Sequence, residues 1–356
     1  MVLPTGASTC SRLSVSEIAE AAQLNRADGF LFRPRLGAGS FPSALDRSIR
    51  LFWKYACVCL QCLQSDLRLP LTPTTRRQFL RVAAAAGTVA IAGDAVFLAP
   101  NHPRIVRQDF LLPRWPLRLD GFTVALISDF HYDPYFSVHP LHAAIPMVNG
   151  LHPDLVVLTG DFVSVSVLGD ERKAAFAAEP CARLLSQITA PHGLWAVLGN
   201  HDDSTDPEHV TRALRAENIR VLANQSEPIE RDGARFWLAG VNDVLSDTAD
   251  LNQTLRRVPA SEAVVLLAHE PDFADEASHF PIDLQLSGHS HGGQVRIPLL
   301  PPLYLPALAR KYVWGTFQVG PLTLYTNAGL GTVGVPMRLN CPPEITLLTL
   351  RSPAKP

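Results

Sequence analysis

Five apolar runs in this chain stop at residues that can bind a metal or move a proton. Asp129 and His131 follow 122–128, and Asp161 follows 155–159. Asn200 and His201 follow 194–198, His269 follows 263–268, and His289 and His291 follow 283–287. Taken singly, an Asp after a strand is an ordinary turn or cap residue, and a lone His is an ordinary satisfied polar group. Five together point to one chemistry. Carboxylates and imidazoles without thiolates suit Mn²⁺, Fe²⁺ or Zn²⁺ rather than Cu(I) or an iron–sulfur cluster. More than four donors suggests two divalent ions, which at about 4 Å apart share a carboxylate and clamp an in-line displacement at phosphorus. A metal-bound hydroxide then attacks near neutral pH, and a histidine outside the coordination set protonates the leaving group.

These residues need a scaffold that delivers strand ends to one place. The runs are continuous rather than alternating, so they read as strands covered on both faces, and ligands gather at the carboxyl ends of such strands. Helical patterns at 141–149, 174–188 (across Pro180) and 208–217 alternate with them, and further strands read at 219–223, 235–240 and 344–350. A Gly-Pro turn joins 317–320 and 322–326 as a hairpin. The fold class is α/β with buried sheets flanked by helices.

The order D-x-H, G-D, G-N-H-D, H, G-H-x-H resembles that of the calcineurin-like metallophosphoesterase superfamily. Here it stands as Asp129-Phe130-His131, Gly160-Asp161, Gly199-Asn200-His201-Asp202, His269 and Gly288-His289-Ser290-His291. The resemblance implies a four-layer αββα sandwich of two mixed β-sheets. It implies that Asp129, His131 and His291 hold one metal, that Asn200, His269 and His289 hold the other, and that Asp161 bridges. His201 would be the acid that is not a ligand, with Asp202 orienting it. The stretches Ser287–Val295, Asn327–Gly331 and Pro336–Ile345 are similar to a bacterial cell-envelope branch exported by the twin-arginine (Tat) route. That branch includes enzymes similar to UDP-2,3-diacylglucosamine pyrophosphohydrolases. Ala328 stands where that branch is expected to carry Arg or Ser, and Asp203-Ser204-Thr205 replaces its Tyr-Gly-Gly. Ser164, three residues after Asp161, is not the tyrosine of purple acid phosphatases.

The rest of the chain sets the context. It has 356 residues and 47% hydrophobic content, enough for a large core. A net charge of -2 gives no global basic field for nucleic acid. Four of six cysteines precede residue 70, which argues against a disulfide framework, and the Cys57, Cys59, Cys62 spacing does not fit a zinc finger. Residues 1–72 read as a poorly ordered extension or a misplaced start, with a candidate helix at Ser43–Gln64. Residues 73–99 carry Thr75-Arg76-Arg77-Gln78-Phe79-Leu80-Arg81 before an Ala-rich apolar run, the form of a Tat signal or anchor. Asp94 makes that run weak as a permanent membrane span, and Ala90-Ile91-Ala92 offers a cleavage site. Residues 100–356 are the catalytic domain. The apolar, Pro-rich stretch 297–309 reads as a buried connection packed on the sheet, with a wall or lid facing an acyl chain or membrane surface as the alternative. Arg296, Arg310 and Lys311 flank it, Asn242-Asp243 ends another strand, and six further histidines (His139, His142, His152, His192, His209, His279) carry no motif. The expected function is an envelope phosphodiesterase or pyrophosphatase that uses two divalent ions and acts on a nucleotide or lipid-linked diester. The alternatives are a broad phosphomonoesterase and an inactive metal-binding module.

Overall fold

The computed structural model describes residues 75–133, 135–164 and 174–353. The expectations for residues 1–72, including the helix at Ser43–Gln64 and the cysteine cluster, lie outside them. The strands are β1 (Arg104–Leu111), β2 (Phe122–Ile127), β3 (Leu155–Thr159), β4 (Leu194–Val197), β5 (Ile219–Val221), β6 (Gln225–Arg231), β7 (Ala234–Gly240), β8 (Val264–Leu267), β9 (Leu284–Ser287), β10 (Gly315–Val319), β11 (Leu322–Thr326) and β12 (Glu344–Arg351). The helices are α1 (Arg76–Gly93), α2 (Val138–Leu151), α3 (Ala178–Leu185), α4 (Asn200–Thr205), α5 (Pro207–Ala216), α6 (Leu251–Leu255) and α7 (Ala274–Ala277).

Two mixed six-stranded sheets form, in the orders β1-β12-β2-β3-β4-β5 and β10-β11-β9-β8-β7-β6. In the first, β12 runs parallel to β1 and antiparallel to β2. In the second, the β10–β11 and β6–β7 pairs are antiparallel and the strands between are parallel. Period-two geometry explains the continuous apolar runs. On β2, Val124 and Leu126 point into the core between the sheets, where Val157, Trp195, Val265 and Leu286 meet them. Ala125 and Ile127 point the other way, under Ile145, Val148, Cys181 and Leu214 from α2, α3 and α5. On the far side, Leu266 and Leu324 pack under Leu251, Leu255, Ala274 and Ala277. The order helix, sheet, sheet, helix is the four-layer sandwich. Cutting Leu126 back to Ala would cost roughly 2–5 kcal/mol.

Local chemistry sets the element ends. Asp206 accepts from the His209 N–H and Pro207 opens α5, so that helix is capped and pre-set at its first residue. Pro180 falls in the first turn of α3, where its missing N–H costs nothing, and a turn at 176–177 precedes it. Cys181 and Cys341 are buried and free.

Asp94 does not end the first helix. The chain stays helical from Arg76 to Asn101, 26 residues long and apolar enough by length and composition to cross a membrane. Its side chains are exposed almost to the end, where Ala95 is buried and its carbonyl accepts the Arg338 N–H at 2.8 Å.

Candidate metal centre

Strands β2, β3 and β4 of one sheet and β8 and β9 of the other all end at the same rim. The backbone there is strained. Asp129, His131, Asp161, His289 and His291 have φ of 53°, 41°, 57°, 67° and 50°. Asp and His tolerate the left-handed region better than most residues, yet five such positions persist only where the surroundings fix them. The Asp129 N–H bonds the Gly160 carbonyl at 3.1 Å, and the His131 N–H bonds the Asp161 carbonyl at 2.9 Å. A Cβ on Gly199 would strike both the Asp161 carboxylate and its main chain, so only glycine lets these two turns touch.

The side chains converge in groups whose donor atoms lie within 4.8 Å of one another. Asp129, His131 and His291 form one group, and Asp161, His269 and His289 another. His131 Nε2 and His291 Nε2 face each other at 2.9 Å. His269 Nε2 and His289 Nδ1 do so at 3.1 Å. In that second pair the opposite nitrogens are occupied. His269 Nδ1 lies 2.6 Å from the Thr159 carbonyl and His289 Nε2 lies 2.8 Å from the Ala307 carbonyl. A carbonyl only accepts, so these nitrogens donate, and in the neutral rings the facing nitrogens are the ones open to a metal. Asp161 Oδ2 stands between the groups, 3.4 Å from His131 Nε2 and 3.2 Å from His269 Nε2. Asp129 Oδ2 and Asn200 Oδ1 are buried without a hydrogen-bond partner. Buried oxygens are rarely left so. This donor set fits a divalent metal.

Electrostatics follow from burial. Burial pushes His131 down to about 3, and burial with the charge of His269 pushes His289 down to about 4. His291 is held well below its usual value by burial and by His131. These imidazoles are neutral, the state a metal needs. Burial disfavours charge on Asp161 and His269, but each stabilises the other's ion, so the carboxyl lies well below its usual range and the imidazole well above. Burial raises Asp129 to about 6.

His201 is half-buried, lines the cleft, and shares a donor group with His131 and Asp161. Its ring meets His131 edge to face, with centroids 4.7 Å apart. Asp202 behaves differently from the orienting carboxylate expected beside that imidazole. Its Oδ1 accepts the Phe162 and Val163 N–H groups at 2.9 and 3.1 Å, and its Oδ2 accepts the Gly199 N–H at 3.0 Å. Asp202 therefore staples the turn after β3 to the start of α4, acting on backbone. The Gly-x-x-Asp spacing, in which the third helical residue's carboxylate reaches back to the N-cap N–H, carries that signal in the sequence. Asp243 stands behind the centre beside Glu270, whose carboxyl burial raises well above its usual value.

Sequence reasoning missed the residues that hold the loop after β11. Arg338 is fully buried, and its guanidinium donates to the carbonyls of Ala328, Gly329, Gly331 and Cys341. Glu344 accepts from the Tyr325 hydroxyl and from Asn327. The loop in turn bonds Ser128 and Asp129 through the Leu330 and Gly331 N–H groups.

A cleft of about 520 Å³ opens over the donors. Val333, Val335, Leu303, Tyr304 and Pro306 form its apolar walls. The stretch 297–309 is thus not the buried connection preferred above: Leu299, Leu300, Leu303 and Tyr304 are exposed.

Known proteins place this geometry. The calcineurin-like phosphoesterase family profile matches residues 122–293. An uncharacterized metallophosphoesterase of Bacillus subtilis, YkuE, is 33% identical over 286 residues, covering 78% of this chain and 98% of its own length. The chain belongs to the calcineurin-like phosphoesterases. Another relative in this family is the phosphodiesterase YaeI of Escherichia coli, 31% identical over 78% of this chain and 99% of its own length. A third is a transmembrane protein with a metallophosphoesterase domain from Danio rerio, 31% identical over 74% of this chain and 61% of its own length. As a member of this family, the chain is a metal-dependent phosphoester hydrolase.

Proposed function

We propose that this chain is a phosphodiesterase or pyrophosphatase that uses two divalent ions and acts at the cell envelope. The observation that carries the reading is Asp161, whose single oxygen Oδ2 lies within 3.4 Å of a nitrogen from each donor group. Asp129, His131 and His291 would hold one ion, Asn200, His269 and His289 the other, and Asp161 both. Bound there, Mn²⁺, Fe²⁺ or Zn²⁺ supplies an acidified water and neutralises charge developing on phosphorus. The remaining work falls to the chain. His201, at the cleft wall, gives a proton to the departing ester oxygen. Asp202 fixes the two turns that present Asp161 and His201. The cleft walls exclude water and leave room for a second ester substituent, which favours a diester over a monoester, in line with the relative YaeI.

The basic residues Arg76, Arg77 and Arg81 in the first turns of a span-length helix support export through the Tat translocase and retention on the outer face of the membrane. In this reading the catalytic domain is residues 100–356, 73–99 form the signal or anchor, and 1–72 are an extension or misplaced start. The test is turnover of bis-p-nitrophenyl phosphate against p-nitrophenyl phosphate by the full chain with each metal. Preference for the monoester would replace the diesterase reading. Inactivity with two metals bound would leave a binding module. Changing Arg76 and Arg77 to Lys should strand the protein in the cytoplasm, and unaltered export would exclude Tat.

A further inference from the structure

Exposed apolar residues gather at the mouth of the cleft. Leu299, Leu300, Leu303 and Tyr304 are 104%, 57%, 65% and 72% exposed, and Val335, on a second wall of the same cleft, is 52% exposed. Leu299 also has φ of 69°, a conformation that costs a leucine energy and gains it no burial. A soluble surface has no use for such a residue at a loop tip.

Both walls are fastened to the exit of the membrane-length helix. Val295 bridges to Leu339, the Arg296 N–H bonds the Leu339 carbonyl at 2.9 Å, and Asn340 bonds the Arg296 carbonyl at 2.8 Å. Next to them the Arg338 N–H bonds Ala95, inside the last turns of the helical run. Gln294 Nε2 bonds the carbonyls of Val333 and Val335 at 3.1 and 3.0 Å, tying the second wall to the turn after His291. The helix exit, the two apolar walls and the cleft mouth are therefore one piece of structure. Outside the cleft, the 56% exposed ring of Phe136 shares a small cavity with Val96 and Pro100 of the helix end.

We propose that this apolar rim, with Leu299 and Leu300 at its tip, seats on the lipid bilayer that the helix enters, so that the cleft opens at the membrane surface. The substrate class that follows is a phosphodiester carried on an acyl or alkyl chain, with the chain lying along Leu303, Tyr304 and Val335 while phosphorus meets the donors. Burying two leucines and an aromatic ring in the interface supplies the binding that a solvated loop lacks. This inference rests on the phosphodiesterase reading for its substrate and on the helix run for its membrane.

The experiment uses the full chain, loaded with Mn²⁺ and reconstituted in phosphatidylcholine–phosphatidylglycerol vesicles. Two substrates are compared: hexadecyl p-nitrophenyl phosphate in the vesicles and soluble bis-p-nitrophenyl phosphate. The double change Leu299→Asp with Leu300→Asp should lower turnover of the lipid diester about tenfold or more and leave the soluble diester unaffected. Asp accepts φ of 69° better than Leu does, so the fold is not at stake. Leu117→Asp, an exposed leucine on the turn before β2, should change neither rate. Equal loss on both substrates, or loss on neither, overturns the proposal. A parent protein inactive on the soluble diester overturns the phosphodiesterase reading itself, and the substrate class with it. A nitroxide on Leu299→Cys, with Cys10, Cys57, Cys59 and Cys62 replaced by Ser, reads the docking alone. Relaxation by oxygen over a water-soluble nickel chelate supports it, and the reverse preference overturns it.

Discussion

Asp129 stands between two buried polar clusters built on opposite rules. On one side, Arg338 and Glu344 are buried ions whose partners are all protein: main-chain carbonyls around the guanidinium, and hydroxyl and amide groups around the carboxylate. On the other side, Asp129 Oδ2, Asn200 Oδ1 and the Nδ1 atoms of His131 and His291 are buried with no partner. Both clusters escape water, but only the first closes its hydrogen bonds within the chain. A satisfied buried network rigidifies a loop, whereas an unsatisfied one anticipates a group that the chain does not supply. The first cluster exists for the second, because the loop it clamps bonds the backbone of Ser128 and Asp129.

The largest test of this contrast is Asp161→Asn. It removes the charge that the two donor groups share, and turnover should fall by about a thousandfold or more, with lower metal content by elemental analysis. Unchanged turnover would deny the carboxylate its shared position. His201→Ala should lower kcat about a hundredfold with both metals retained. Metal loss would make His201 a ligand and move it into the unsatisfied cluster. Arg338→Met leaves four carbonyls without their donor and should cost about 3–5 kcal/mol in urea unfolding. That loss should persist in chelator, because the hydrogen bonds of this cluster need no ion. Parent protein with Mn²⁺ at a hundredfold excess over Kd should gain about 2.7 kcal/mol per site, and chelation should abolish the gain.

The effect spread most thinly is a pH slope. His131 has a folded pKa of about 3 against an ordinary 6.5. Below pH 6.5 the unfolded chain takes up a proton that the folded chain refuses, so acid favours unfolding until about pH 3. In EDTA, His131→Gln should lose less stability than the parent between pH 6.5 and 4, by up to about 1.4 kcal/mol per pH unit. Parallel urea midpoints for the two proteins would remove His131 from the buried neutral set.

The centre was legible in the sequence because apolar runs that stop at Asp, Asn and His mark strand ends, and strands point their carboxyl ends at one rim. The layers between and outside the sheets came from the family resemblance. Edge strands β1 and β6 were not legible. β1 carries mostly exposed side chains and β6 buries only Ser226 and Ile229, so neither shows the apolar run that betrayed the central strands, and Pro228 in β6 reads as a breaker. Arg338 left no signal either, since a buried ion in an irregular loop has no periodicity. The stretch 297–309 was read the wrong way round because its composition is the same whether a neighbour covers it or not. For Asp202, adjacency to His201 suggested a side-chain partner, while its spacing from Gly199 held the backbone answer.

The pairing of β1 with β12 sets a clock on biosynthesis. Among the described strands, the one that follows the helix pairs only with β12, which slots between β1 and β2. The first residues of this fold therefore wait for the final ones to leave the ribosome. Until then the helix hangs from an unpaired strand, and the sheet that bears Asp129 and Asp161 lacks two of its six members. A chain cut short before Glu344 has its donors in the sequence and no closed frame to hold them. The arrangement couples the helix at one end of the fold to the strand at the other.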